Sequence, residues 1–325
     1  MSNAGGEEAM ELSLNERALR LVDALAADAP ALGIEVRTLP GGARLLDCGA
    51  NARGGLLAGL GFAAVCMGGL GRVDPVPVTV GERTWPGVGV AVDQPAVACL
   101  AAQYAGWRLE HEKFFAMASG PGRALARVEE LFSELSWRER AQQAVLCLET
   151  REPPPSAVVE RVAQRCGVPT ERLTFLIAPT ASVCGSVQIS ARTVETALHK
   201  LHELGVDPER VRSGWGCCPL APVARDDARA IGRTNDAVLY GGTVHLWIEG
   251  GDEEVAELAR RLPSSASEAF GTPFGELLRA AGFNFYEIDP MLFSPAVVTL
   301  TATESGRAHH GGRLAPEVLE RSFTT

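Results

Sequence analysis

At 325 residues, with 46% hydrophobic, 22% charged and only 6% aromatic side chains, the chain is long for one core and reads as a soluble protein of two domains. A formal net charge of −10 argues against nucleic-acid partners, whose phosphates call for a basic surface, but leaves room for a small anion held by local arginines. Eight cysteines scattered through apolar runs without a CxxC are the pattern of free buried thiols, and the opening MSNAGGEEAMELSLNE is too polar for a secretory signal, so the expected location is the cytoplasm.

The periodicity predicts an amphipathic helix over 14–29, with Leu14, Ala18, Leu21, Val22 and Leu25 on one side. Segments 34–39 and 43–47 flank Pro40-Gly41-Gly42 as a β-hairpin. DCGANARGGLLAG (47–59) then leads into an apolar run, 54–71. That run has the length of a membrane span, but its glycines leave only a short buried helix. A glycine-rich strand-to-helix turn offers backbone N–H groups to an anion, with Arg53 as a clamp, although neither a P-loop nor a GxGxxG is present. Strands follow at 76–80 and 88–92, a helix at 95–107 ending on Gly106, and a short strand at 114–117. Ser119-Gly120-Pro121-Gly122-Arg123 is a second tight turn, feeding a helix at 124–135, and Gly120, Gly122 and Arg123 form a second candidate anion site. A strand at 144–149 closes the first half.

Arg151-Glu152-Pro153-Pro154-Pro155 is the best linker candidate, since three prolines cannot lie inside a regular element. It divides the chain into domains at 1–152 and 153–325. Beyond it come a helix at 156–166, a strand at 174–177, another strand at 186–189, and then the helix 190–204. Ser190 is placed to cap that helix, and Gly205 to end it in the left-handed region. Its face Val194, Ala197, Leu198, Leu201, Leu204 is apolar, and Arg192, Glu195, His199 and His202 form a second stripe along its shoulder. The segment 214–223 reads as a loop carrying Cys217-Cys218, for which a vicinal redox pair is one option. A helix at 225–232 precedes Arg233-Thr234-Asn235-Asp236, a cluster of hydrogen-bonding groups, and a hairpin 237–240/243–248 turning at Gly241-Gly242. Helices at 253–261 and 274–281, a strand near 297–301 and a loop at 309–313 complete the chain. Strands and helices mix without a regular βαβ series, which makes the class α+β.

Three chemistries compete for the 190–204 helix. Arg192 and Glu195 can be an ordinary i,i+3 surface ion pair, worth roughly 0.3–0.5 kcal/mol. Glu195, His199 and His202 can ligate zinc at spacing i, i+4, i+7, though HExxH is absent. Or the carboxylate at the helix start can orient and deprotonate water, kept ionised by the adjacent guanidinium, with the glycine turns and Arg53, Arg123 and Arg233 holding an anionic substrate. No GxSxG elbow supports a serine hydrolase, because Ser119 lies in ASGPG.

Nine blocks bear on the choice: DCGANARGGLLAG, CMGGLG (66–71), QYAGW (103–107), SGPGRA (119–124), LTFLIAPT (173–180), SARTVETALHK (190–200), GRTNDAVLYGG (232–242), LFSPA (292–296) and GGRL (311–314). Together, and in this order, they resemble the methenyltetrahydromethanopterin cyclohydrolases, and the bacterial ones in particular. The resemblance implies an α+β subunit with two mixed α/β domains side by side, a large pocket between them, and a homotrimer. It implies water addition to a methenyl-pterin in one-carbon and formaldehyde-oxidising metabolism, with the tetrahydromethanopterin carrier as substrate and no metal or other cofactor. It also implies catalytic roles for Arg192 and Glu195. Arg53, Gly120, Gly122, Arg123 and Asn235 are expected to bind substrate because of their glycine-rich or hydrogen-bonding settings. The metal-dependent hydrolase and a non-catalytic pterin-binding protein are the alternatives.

Overall fold

The computed structural model describes residues 12–284 and 287–324, so the acidic opening segment 1–11 lies outside it. In chain order its strands are β1 (Glu35–Thr38), β2 (Arg44–Asp47), β3 (Gly71–Val80), β4 (Arg83–Val92), β5 (Trp107–His111), β6 (Phe114–Ser119), β7 (Ala144–Glu149), β8 (Leu173–Ala178), β9 (Val211–Pro219), β10 (Thr243–Ile248), β11 (Val297–Ala302) and β12 (Ala308–Gly312). They build two six-stranded sheets, β1-β2-β8-β7-β6-β5 and β12-β11-β10-β9-β4-β3. The first is parallel across β2, β8 and β7 and antiparallel at its flanks. The second is antiparallel except where β10 meets β11. Two mixed sheets with helices against them make the expected α+β fold.

The apolar runs AVLCLE and LTFLIA became β7 and β8, the buried centre of the first sheet. Successive side chains on a strand face opposite ways. Leu146, Leu148, Phe175 and Ile177 therefore pack with Val158 and Val162 of the helix Ser156–Cys166. Val145, Cys147, Leu176 and Ala178 face the other way, into Val22 of the helix Leu14–Ala27 and Phe62 of the helix Leu56–Cys66. One face of the second sheet carries most of its core, while Val78 and Val80 of β3 pack with Val238, Leu319 and Phe323. Leu246, Ile248, Leu300 and Val90 meet Val194, Leu198 and Leu201 of the helix Thr193–Glu203, while Trp215 and Trp247 lie exposed on the other face.

The boundary expected at 152/153 does not separate the two sheets. β7 precedes the proline run and β8 follows it, yet they pair in register, Ala144 on Leu173 through Glu149 on Ala178. Conversely, β3 and β4 precede the run but belong to the second sheet. The prolines turn the chain out of β7 into the next helix. They mark the end of an element, and proline chemistry alone does not distinguish that from the end of a domain.

Several local expectations change for identifiable reasons. The helix expected at 95–107 is wound as a π-helix over Ala96–Gln103 and stops before Trp107, which starts β5. The helix expected at 124–135 breaks into Gly122–Ala126 and Leu131–Glu134, with Arg127 left-handed (φ 47°) at the break. Residues 214–219 extend in β9, where Cys217 and Cys218 sit on opposite faces, which removes the vicinal-pair option. All eight cysteines are free thiols, seven of them buried. The hairpin at Gly241-Gly242 does not form. One helix, Asp227–Gly241, runs through it, because Ala237, Val238, Leu239 and Tyr240 are all buried among neighbours and tertiary burial outweighs the local turn signal. Residues 309–312 extend in β12. Among the described residues no helix is long and apolar enough to cross a membrane.

Candidate active site

The single helix expected from 190 is in fact two. Val183–Ser190 is capped by the Ser182 hydroxyl, which accepts from the Gly185 N–H at 2.9 Å. It lies close on the helix Leu56–Cys66: a Cβ on Gly59 would stand 2.6 Å from the Val187 Cβ, so only glycine permits the approach. Ser190 caps nothing. Its hydroxyl donates to Pro219 O at 3.1 Å, and Thr193 Oγ1 donates back to Ser190 O at 2.9 Å. Hydroxyls bonding nearby carbonyls in this way offer the backbone an alternative to the helical ladder. The chain kinks at Ala191-Arg192 and restarts as Thr193–Glu203, with Arg192 at the N-cap position. Gly205 ends the second helix with φ +79°, as expected.

The kink places Arg192 in a buried polar cage. Nη1 donates to the Gln103 carbonyl at 2.6 Å, and Nη2 to Ser119 Oγ at 3.3 Å. Nε and Nη2 both donate to Gln188 Oε1, at 3.1 and 3.0 Å. Nη1 also faces Glu195 Oε2 at 3.7 Å, an ion pair too long to be a hydrogen bond. The side chains are only 13% and 8% exposed, so this is no surface salt bridge. Burial raises the Glu195 carboxyl above its ordinary value, against the opposing pull of Arg192, His199 and Arg123. A carboxylate in the first turn of a helix, with its affinity for protons raised and one cation beside it, can take a proton from water and return it.

His199 and Tyr104 continue the site along the shoulder, their rings stacked at 4.9 Å. Burial, with Glu195 adding to it, pushes the Tyr104 phenol up to about 12, which keeps it protonated as a donor. His199 pairs with Glu203 at 3.8 Å, and His202 with Glu134 at 2.7 Å. The two histidines are thus drawn to different carboxylates, and among the described residues no group of three or more His, Cys, Asp or Glu could hold a metal ion.

The other candidate residues fall in three places: the 120–123 turn, the helix carrying Arg233 and Asn235, and the turn carrying Arg53. Arg123 is wholly buried. It bonds Glu129 at 2.7 Å and the carbonyls of Leu100 and Ala102 at 3.1 Å, between the rings of Tyr104 and Phe132. It braces the Tyr104 side of the site from within, and its Nη2 is buried without a hydrogen-bond partner. Gly120 and Gly122 are packed against β7: a Cβ on Gly120 (φ +97°) would stand 3.0 Å from Val145 O, and one on Gly122 2.9 Å from Leu146 Cγ. Asn235 bonds Ile231 O of its own helix at 2.8 Å, and Arg233 reaches Pro222 O at 3.3 Å. Arg53 is exposed on the 47–55 turn. None of these bonds reaches the Arg192 cage.

Three cage members escaped the sequence, Gln103, Ser119 and Gln188, as did Glu149, which accepts from Gln188 Nε2 at 3.2 Å behind the cage. Gln103 and Ser119 stand inside quoted blocks, but a glutamine ending an apolar run and a turn serine carry no spacing signal. Gln188 and Arg192 are four residues apart, a spacing with meaning only on a helix, and the β-branched run Val187–Ile189 read as a strand.

Fold and site together define an α+β protein with a buried carboxylate–guanidinium pair at a helix start. The chain belongs to the cyclohydrolase (MCH) family, whose pattern matches residues 13–323. It is 49% identical over 312 residues to the methenyltetrahydromethanopterin cyclohydrolase of Methylobacillus flagellatus, covering 96% of this chain and 95% of that one. The enzyme of the same name from Xanthobacter autotrophicus is 46% identical, over 98% and 94% of the two chains. The one from Methanococcoides burtonii is 37% identical, over 96% and 98%.

Proposed function

We propose that this protein is a methenyltetrahydromethanopterin cyclohydrolase that adds water to 5,10-methenyltetrahydromethanopterin and releases the 5-formyl compound. The observation that carries the proposal is the buried Arg192–Glu195 pair, in a chain similar along its whole length to enzymes of that name. The methenyl carbon is cationic and already electrophilic, so the step calls for a positioned base. Glu195 takes a proton as water attacks, a C–O bond forms, and the charge on the bridge is neutralised. The C–N10 bond then breaks, N10 receives a proton from the Glu195 carboxyl, and the hydroxyl collapses to the formyl group. The balance is one water consumed and one proton released. Arg192 orients the carboxylate and opposes its protonation. The pterin binds beside the cage, which draws Ser119 from β6 and Arg192 from the joint between two helices.

Mixing enzyme with the methenyl compound is expected to abolish the methenyl absorbance, with the tetrahydrofolate analogue run beside it to define the carrier. Activity is expected to survive thorough metal stripping. Loss on chelation, restored by a divalent metal, would revive the Glu195/His199/His202 hydrolase, and absorbance unchanged despite tight pterin binding would leave a binding protein. We place the enzyme in the cytoplasm, in keeping with its free thiols, as a homotrimer. Its mass in solution by light scattering is expected at three times the 34.4 kDa of the subunit, and a monomeric mass at working concentration would refute the trimer.

A further inference from the structure

We infer that Gln188 is a positioning residue for the reaction, locked by Glu149 so that Arg192 presents a single N–H to Glu195. The inference rests on the cyclohydrolase reading of the site. A guanidinium has five N–H donors in a rigid fork and no acceptor. Four of the five are occupied in the cage: Nε–H and one Nη2–H by Gln188 Oε1, the second Nη2–H by Ser119 Oγ, and one Nη1–H by the Gln103 carbonyl. The remaining Nη1–H lies on the Glu195 side, 3.7 Å from Oε2. The fork therefore cannot rotate about its own plane without breaking bonds to three partners.

Gln188 can hold the fork only with its oxygen toward Arg192, because its NH₂ end would set donors against donors. What fixes that orientation lies on the far side. Gln188 Nε2 donates to Glu149 Oε2 at 3.2 Å, while the Thr180 hydroxyl donates to Glu149 Oε1. A carboxylate accepts only, so it captures the NH₂ end of the amide and leaves Oε1 facing the arginine. Gln188 is 2% exposed, which leaves no room for water to substitute. A relay thus runs from the ends of β7 and β8, through the helix Val183–Ser190, to the catalytic pair. Gln103 seats the kink in the same way, its side-chain amide donating to Ala191 O at 3.0 Å.

The test is Gln188→Met, which keeps the volume and removes the acceptor. Wild-type turnover of the methenyl substrate is measured first, since its absence would strike the cyclohydrolase reading itself. Given turnover, kcat of Gln188→Met is expected to fall about 10²-fold, the scale of a 1 Å misplacement, with KM changed less than about threefold. The acid limb of its pH–rate profile is expected to move to higher pH, because a loosened Arg192 opposes protonation of Glu195 less. Glu149→Met, which removes the acceptor while leaving Gln188 in place, is expected to lower kcat by a smaller factor at unchanged KM. A folded Gln188→Met with the wild-type kcat and acid limb overturns the inference, even if its melting temperature drops. Should Gln188→Met not fold, a Glu149→Met enzyme with the wild-type kcat overturns it.

Discussion

Glu195→Gln is expected to fold normally and to lose at least 10²-fold in turnover, within the 10²–10⁴-fold range of general acid–base catalysis. Glutamine keeps the shape and the hydrogen-bonding reach of the side chain, so the helix Thr193–Glu203 and its packing should persist. It cannot accept the proton that water must lose, and it offers no negative charge to the methenyl cation. Burial also gives the substitution a favourable side: the wild-type site spends free energy keeping a carboxylate out of water, and a neutral amide avoids that cost. The melting temperature should therefore hold or rise while activity falls, the separation expected of a residue retained for function. Turnover near the wild-type value would remove Glu195 from the mechanism.

Arg192→Gln carries the second largest effect, about 10²-fold in turnover with a smaller change in apparent substrate affinity. The sign of its pH dependence follows from the forces on Glu195. Burial raises the carboxyl above its ordinary value and Arg192 is the largest influence pulling it down. Without the guanidinium the carboxyl rises further, so the ionised base is lost at a higher pH and the acid limb moves up. The same substitution leaves Gln188, Ser119 and the Gln103 carbonyl without their donor, so a modest loss of stability accompanies it. An unchanged profile with only that stability loss would make the pair structural.

The contrast between Arg192 and Arg123 shows how far spacing can carry a site assignment. Both stand near glycine-rich or helix-start motifs, and both read as cations available to a ligand. Arg192 emerges at a kink beside a carboxylate with one N–H toward it, whereas Arg123 is wholly buried on Glu129 and two carbonyls. Each also bonds residues 21 to 89 positions away in the chain, Leu100 and Ala102 for Arg123, Ser119 and Gln103 for Arg192, and no local pattern encodes such partners. The same holds for Gln188. The Val-Gln-Ile run has strand propensity, yet the Ser182 cap and the contact of Val187 with Gly59 hold it as a helix.

The sequence by itself determined the α+β class, the buried strands β7 and β8, the apolar face of the Thr193–Glu203 helix with its glycine stop, and the family, because periodicity, caps and contiguous motifs are local properties of the chain. Only the tertiary structure decided that the proline run joins elements of one sheet, that the 214–219 and 309–312 segments are strands, and that Arg192 sits at a break between two helices. Strand pairing, burial and the filling of a guanidinium's five donors are settled by residues far apart in sequence. At the Arg192–Glu195 pair the two kinds of information meet: helical spacing brought the residues within reach, and the fold took them out of water.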